Sequence, residues 1–466
     1  MRMSTSEKLK RGTMFAYTLG AIPVALFGGI FGLKYIEFFY DDLQLLPAYF
    51  IAGQVIYMIV NALNDPLSGQ LSDTTNPKKW GSRRIIYIKW GAPIWALTFL
   101  LLWFPWSFTD QLVIFLHYVI SLCLFDTMLT IVVLVWMALL PEMTIDHDER
   151  NKANFYLLVV GVITALPFIL ILADMSPASE PFRYILIVVS VISTVCLLVV
   201  AKVCKERPEL YSGISYPFLK SVKESLKSRS FLVYLGYSFF NLLAGSFGLS
   251  YLFLFILLTG EAGVMYYILF GLIIGYVSNL WALKLHEKKM WDMRTITLRF
   301  SLIRLAITAT FLPFILFTNE VAFIYLALFL TSLFSGCGVF STPLMYLSMD
   351  EDEIKHDTRR EGMFLGINAL FTKPANSIGP IVATLVLGAF GYIQDSPTQP
   401  DSVFFGIKIL FFAIPAVFTA ASLFFMWIYP LHGELLQTMK KQLEQKHRDR
   451  QAKASTGISR DIPVRD

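Results

Sequence analysis

The sequence predicts an all-α membrane protein of twelve transmembrane helices, and three observations carry that prediction. Of the 466 residues, 56% are hydrophobic and only 16% are charged, whereas charged residues make up about a quarter of a soluble domain. The mean hydropathy is +0.60. Apolar stretches of about 20 residues, enough to cross a hydrocarbon core of about 30 Å as a helix, recur along the whole chain, and Lys and Arg collect on alternate loops between them.

Taken in order, the apolar stretches centre on 13–39, 45–70, 84–106, 112–140, 152–173, 182–203, 231–257, 264–284, 296–317, 321–347, 363–392 and 403–429. An even number of spans puts both termini on one side of the membrane. Of the 39 basic residues, 32 fall on the side of the termini, two (Arg183 and Lys408) on the other, and five (Lys34, Lys89, Arg299, Arg304 and Lys373) within spans. By the positive-inside rule both termini are cytoplasmic, which fits a multi-pass protein of the cell membrane. The net charge of +5 follows from this bias toward one leaflet and points to the bilayer as partner, with no nucleic-acid signal. The polar start runs directly into a span, so no cleavable signal peptide is expected. Cys123, Cys196, Cys204 and Cys337 lie in or beside apolar spans without CxxC spacing, as buried free thiols do.

The basic segment 204–230 carries Pro208 and Pro217 and divides the chain into a six-helix bundle over 1–203, a cytoplasmic linker with a partly helical stretch near Phe218 to Lys227, and a second six-helix bundle over 231–430. A tail over 431–466 holds Leu435, Met439 and Leu443 at helical spacing, the pattern of a short surface helix. The halves echo each other. Pro141, Glu142, Asp146, Asp148, Glu149 and Arg150 follow span four, and Pro343, Asp350 to Glu353, Arg359, Arg360 and Glu361 follow span ten. Parallel repeats of this kind put a transporter's site near the midplane.

Charge inside an apolar span is costly, so each intramembrane ionisable residue is a candidate for function. Asp65 closes the apolar run of span two. With Asn61 and Asn64 it stands at i, i+3 and i+4, so three oxygen-bearing side chains share one helix face and could hold a small cation; a structural carboxylate satisfied by a neighbour is the plainer alternative. Asp126 has about ten helical residues on one side and fourteen on the other, which at ~1.5 Å per residue places it near the midplane. There it could hold a cationic headgroup, a sugar hydroxyl or a coupling proton, or be bonded to a neighbouring helix. Lys373 lies a good two turns into span eleven and must find a carboxylate or a cavity. Arg299 and Arg304 either both snorkel to the cytoplasmic surface, or Arg304 faces a cavity and holds an anionic group. Lys34 and Glu37 read as an interfacial pair.

The run Asn61 to Gly69, the polar stretch Ser72 to Arg84, the Arg359-Arg360-Glu361-Gly362 sequence and Lys373 twelve residues after Glu361 together resemble the glycoside-pentoside-hexuronide:cation symporters of the major facilitator superfamily, over roughly Thr13 to Tyr429. The resemblance implies a fold of two six-helix bundles and cation-coupled symport, driven by H+ or Na+, of a small organic solute, a sugar or glycoside first. A lysophospholipid symporter or a non-coupled lipid scramblase are the alternatives, and a monomer is expected. No cofactor beyond the coupling ion is implied. The family's cation site maps onto Asp65, Asn64, Asn61 and Thr130. Asn61 stands where sodium-coupled sugar transporters carry a further aspartate, which weakens sodium coupling, and Val135 replaces the usual span-four proline, which loosens the register of Thr130. Lys373 matches the family's span-eleven lysine and, with spans two and eleven facing each other, is the expected partner of Asp65. The sugar-contacting residues fall on Val133 and Leu158, so substrate contacts do not carry over. Asp73 with Arg83 and Arg84, Glu142 with Asp148 and Arg150, and Asp350 with Arg359, Arg360 and Glu361 would form a charge latch at the cytoplasmic mouth, against the view that exposed pairs contribute only about 0 to 1 kcal/mol each.

An intramembrane enzyme is disfavoured. There is no nucleophile elbow, His286-Glu287 does not extend to HExxH, and no P-loop is present.

Overall fold

The computed structural model of the chain describes residues 10–144, 147–172, 175–206, 226–247, 263–318, 320–356, 361–396 and 398–455. Among these the regular structure is helical throughout. Span one comprises Arg11–Thr18, Ala21–Ile36 and a π-helical turn, Glu37–Asp42. Spans two to six are Pro47–Thr74, Ile85–Trp103, Gln111–Met143, His147–Leu172 and Glu180–Val203. The helices Arg229–Gly245, Gly263–Glu287 and Met293–Phe317 fall on predicted spans seven to nine. Span ten is Val321–Leu333, a 3-10 segment Ser335–Phe340 and Ser341–His356; span eleven is Glu361–Thr372 and Pro374–Ala389; span twelve is Asp401–Lys408, a π-helical turn Ile409–Ala413 and Ile414–Trp427. Eight helical runs among the described residues are long and apolar enough to cross a membrane. The tail forms the helix Gly433–Ser455. Of the expected linker helix, 218–225 lie outside the described residues.

The breaks in these helices have local causes. Pro23 has no N–H for the carbonyl of Leu19, so the first turn of the helix Ala21–Ile36 closes by a tighter bond from Ile22 N to Leu19 O, 3.1 Å. The neighbouring Gly20 leaves room for the Trp136 ring, which a Cβ there would strike, and Trp136 Nε1 donates to the Tyr17 carbonyl at 3.2 Å. In span eleven Pro374 interrupts the ladder directly after Lys373. Carboxylates set two of the helix starts: Asp110 accepts from Leu112 N and Val113 N before span four, and Asp292 accepts from Thr295 N before span nine. Each such cap stabilises by about 1 kcal/mol. A third carboxylate acts from a distance in sequence. Glu206, just past span six, takes the N–H groups of Arg83 (2.9 Å), Arg84 (2.6 Å) and Ile85 (2.8 Å) at the start of span three, fixing that helix end to the end of span six.

The chain groups into two compact units. The first takes Met1–Ser215, Leu242–Met265 and Ala369–Pro415. Within it span three packs on spans four and six, span one on spans five and six, and span two on span four and on the helix Pro374–Ala389 of span eleven. Its core is aromatic: Phe27, Trp95, Phe99, Trp103 and Phe125 are fully buried, with Phe27 stacked on Phe99 at 4.2 Å and edge-on to Trp95 at 4.9 Å. Lipid tails are as apolar as these rings, so close packing and ring geometry, more than exclusion of water, hold such a core inside a bilayer.

The second unit takes Tyr216–Asn241, Tyr266–Asn368 and Ala416–Asp466. Span nine packs on span ten and its 3-10 segment. Tyr429 is buried and donates to the Leu344 carbonyl at 2.7 Å. At Gly336 the 3-10 segment meets span eight backbone to backbone: the Gly336 N–H donates to Ser278 Oγ at 2.9 Å, and Ser278 Oγ donates to the Leu333 carbonyl at 2.6 Å. A Cβ on Gly336 would overlap the Ser278 carbonyl, whereas one on Gly338 would meet nothing within 4 Å. Gly336→Ala should therefore destabilise the purified protein by about 1–3 kcal/mol and lower its thermal midpoint, with Gly338→Ala close to wild type; equal midpoints for the two variants would refute the close approach.

Candidate functional site

Two of the expected cation-site residues converge with the lysine expected to partner Asp65. Asp65 comes from span two, Thr130 from span four and Lys373 from the break in span eleven, all within the first compact unit. Lys373 Nζ lies 2.5 Å from Asp65 Oδ1 and 3.4 Å from Thr130 Oγ1. The ammonium thus sits between the two oxygens that the family resemblance assigns to a cation. Only about a fifth of either side chain is exposed, 21% for Lys373 and 19% for Asp65. The geometry follows from the sequence nearby. Pro374 ends the upper helix at Lys373, whose backbone stays helical at φ −57° and ψ −36°, and the following helix packs along span two.

Asn61 and Asn64 share the face of Asp65 but serve a second carboxylate. Asp126 is buried and accepts from Tyr57 Oη at 3.1 Å and from Asn64 Nδ2 at 2.9 Å. Asn64 Oδ1 in turn accepts from Thr127 Oγ1 at 3.2 Å, and Asn61 Nδ2 donates to Tyr57 Oη at 3.3 Å. The Oδ1 atom of Asn61 is buried with no hydrogen-bond partner, as is Oε1 of Gln54 two turns earlier. Gln54 is fully buried, with its amide nitrogen 2.5 Å from Tyr118 Oη and 3.4 Å from Tyr35 Oη. The face therefore divides into an ionic cluster (Asp65, Lys373, Thr130) and a neutral-donor cluster around Asp126. Orphaned buried acceptors of this kind cost free energy unless a solute or proton donor meets them.

Tyr57, Gln54, Tyr118 and Thr127 did not stand out in the sequence. Tyrosine, glutamine and threonine in a span carry no charge and so give no signal by expense; only their helical spacing from Asn61 and Asp126 could have singled them out.

The remaining predicted residues are more dispersed. Arg304 belongs to the second unit, where its Nε is buried without a hydrogen-bond partner. Arg83 and Arg84 give their backbone N–H groups to Glu206, and Arg83 Nε reaches the Ser72 carbonyl at 3.4 Å. Asp350 lies on the helix Ser341–His356, whose Glu351 pairs with Lys355 at 2.5 Å. The side chains of Asp73, Glu142, Asp148, Arg150 and Glu361 lie outside the described residues, as do Arg359 and Arg360 altogether. Lys34 is buried and pairs with Glu37 at 2.6 Å.

At the end of the first unit away from the start of span one, the end of span one and the turn after it meet the loop after span eleven. Tyr392 Oη is 2.7 Å from both oxygens of Asp41, and Gln394 Nε2 donates to the carbonyls of Tyr40 (2.7 Å) and Leu45 (3.0 Å). Gln44 Nε2 donates to Asp395 Oδ2 at 3.1 Å. Burial and the Asp41 carboxylate hold the Tyr392 hydroxyl well above its ordinary pKa, so it donates. The π-helical turn Glu37–Asp42 inserts extra backbone where Asp41 and Asp42 are aimed. Such turns gather at functional sites.

The family model for MFS/sugar transport proteins matches residues 16–433. An uncharacterized symporter of Synechocystis sp. is 25% identical over 94% of this chain and 98% of its own length. The sodium-dependent lysophosphatidylcholine symporter 1 of Xenopus tropicalis is 20% identical over 95% of this chain and 91% of its own. Among solved structures, a D-xylose-proton symporter superposes with a TM-score of 0.63 at 12% identity, covering 90% of this chain and 97% of that one, so the two share a fold.

Removing one member of a largely buried pair leaves the other uncompensated, whereas removing both does not. Asp65→Asn should cost about 1–3 kcal/mol of stability, and adding Lys373→Gln should recover most of it. Thermal unfolding of the single and double variants in detergent checks this; additive losses would show that the pair contributes nothing as a unit.

Proposed function

The chain belongs to the MFS/sugar transport protein family, and on that premise we propose that it is a cation-coupled symporter whose coupling centre is Asp65, Thr130 and Lys373. It has the major facilitator fold, as a multi-pass membrane transporter. The observation that carries the proposal is the position of Lys373 Nζ, 2.5 Å from Asp65 and 3.4 Å from Thr130. The lysine acts as a tethered cation. A proton or a metal ion arriving at Asp65 must displace it, and the displaced ammonium cannot stay uncompensated in a low-dielectric interior. Ion occupancy is thereby linked to a movement of span eleven relative to span two. The bonds of Asp41, Gln44 and Gln394 between the two loops at the far end of the first unit are those that open in the opposite half of the cycle.

Protons are favoured as the coupling ion. Protonation of Asp65 releases Lys373 without any further ligand, whereas a sodium ion needs several oxygens. Here Asn64 Oδ1 already accepts from Thr127 and the Asn61 amide is turned to Tyr57, which leaves Asn61 Oδ1 as the spare acceptor. The substrate is a small organic solute with hydroxyl groups, a sugar or glycoside. Asp126 accepts its hydroxyls after exchange with Tyr57 and Asn64, and Gln54 and Asn61 supply the orphaned acceptors. Similarity to the lysophosphatidylcholine symporters along almost the whole chain favours a second reading, a sodium-driven lysolipid symporter.

Proteoliposome uptake separates these readings. An imposed pH gradient in sodium-free vesicles should drive accumulation of a labelled sugar, and Asp65→Asn should abolish accumulation while sparing counterflow. Accumulation of a lysolipid under a sodium gradient at fixed pH would establish the second reading instead, and counterflow of neither solute class would set aside the substrate assignment.

A further inference from the structure

Span nine carries three arginines, Arg294, Arg299 and Arg304, none of them part of the coupling centre, and Arg299 is the one beside a groove. It borders a groove of about 310 Å³ on the second unit, lined by Trp281, Trp291, Phe300, Ile303 and Phe334 with Arg299 as its one charged member among them. Phe300 is buried and forms the floor, with Trp281 at 5.0 Å and Phe334 at 5.6 Å between ring centroids. Trp281 and Ile303 remain 43% and 38% exposed. The Arg299 guanidinium stacks over the Trp291 ring, 4.3 Å from its centroid.

The depth of the groove decides what fills it. Span nine has 25 residues, about 37 Å of helix against a hydrocarbon thickness of about 30 Å, so its first turns extend into the interface. Arg299 is six residues, about 9 Å, from the helix start, and helical side chains lean toward the N-terminus, which brings the guanidinium to headgroup level. Trp281 and Trp291 sit where interfacial tryptophans anchor a helix. An apolar groove at this depth faces acyl chains, and Arg299 supplies positive charge beside it, while Lys288 and Lys289 follow span eight in the connection to span nine.

We propose that this groove binds one anionic phospholipid of the leaflet on the side of the termini, its acyl chain lying between Trp281, Ile303 and Phe334 and its phosphate bound by Arg299. The guanidinium fork matches a phosphate better than a point charge would, and its stacking on Trp291 holds it in place. A zwitterionic lipid offers the same phosphate but adds a cation beside the arginine. Headgroup charge is therefore the discriminating chemistry, worth about a five-fold preference for one basic side chain at the interface.

The test reads binding and not uptake, so its outcome is independent of the transport reading. The protein in phosphatidylcholine nanodiscs is titrated with brominated phosphatidylglycerol or brominated phosphatidylcholine while tryptophan fluorescence is followed. Wild type should be quenched with about five-fold higher apparent affinity by the phosphatidylglycerol. Arg299→Gln should remove that preference while leaving quenching by phosphatidylcholine in place, and Arg299→Lys should restore part of it. Ile303→Phe, which fills the groove, should reduce quenching by both lipids. Equal quenching of wild type by the two lipids, full preference retained in Arg299→Gln, or undiminished quenching in Ile303→Phe would each overturn the proposal. So would a preference lost on Lys288→Gln with Lys289→Gln but kept in Arg299→Gln, which would assign it to the loop charge alone.

Discussion

A charge within a membrane-spanning helix has to be compensated, and the arrangement of this site depends on how Asp65 and Lys373 do so. Each is four-fifths buried, and each is the other's counter-ion at 2.5 Å. Desolvating two such groups costs several kcal/mol apiece, which their attraction offsets only in good geometry. The break at Pro374 supplies that geometry. Pro374 removes one N–H from the ladder directly after Lys373, whose own backbone stays helical, and the Lys373 ammonium reaches span two from that point. A pair of this kind adds little net stability. In the proposed cycle its role is selectivity of state, because a third charge entering the cluster separates the two.

Beside this ionic cluster, Asp126 is kept by neutral donors. Tyr57 and Asn64 hold its two oxygens, and Thr127 and Asn61 fix those donors in turn. The two carboxylates therefore sit in different electrostatic settings within one bundle: one charge-paired, one hydrogen-bonded by groups that a hydroxylated solute can imitate. That division is the physical basis of the proposal that the ion binds at Asp65 and the solute at Asp126. The orphaned oxygens of Asn61 and Gln54 lie on the same helix face, at intervals of seven residues.

Departures from regular helix coincide with polar contacts between elements in this chain. The π-helical turn of span one directs Asp41 to Tyr392, the break of span eleven presents Lys373, and the 3-10 segment of span ten brings Gly336 onto the backbone at Ser278. In a bilayer every backbone polar group has to be satisfied internally, so such departures persist where neighbouring helices replace the lost bonds. Ser278 does this for Leu333 and Gly336.

Composition and hydropathy determined by themselves that the chain is a helical membrane protein, because the cost of placing polar backbone and charge in lipid leaves few alternatives. Helices fall on all twelve predicted spans for that reason. The same cost made Asp65, Asp126 and Lys373 legible, since a charge in an apolar run has to be explained, and the pairing of Asp65 with Lys373 followed from the family resemblance. Only the tertiary structure decided the rest. Asn61 and Asn64 share a face with Asp65 by helical spacing, yet the Asn64 amide turns to Asp126 of span four, a choice that no local periodicity encodes, while the Asn61 amide turns to Tyr57 one turn earlier on span two. Tyr57, Gln54 and Tyr118 were silent because uncharged polar residues carry too small a penalty to stand out. Glu206 capping span three and Tyr392 meeting Asp41 join residues 123 and 351 positions apart, and pairings at that separation are set by how the helices pack.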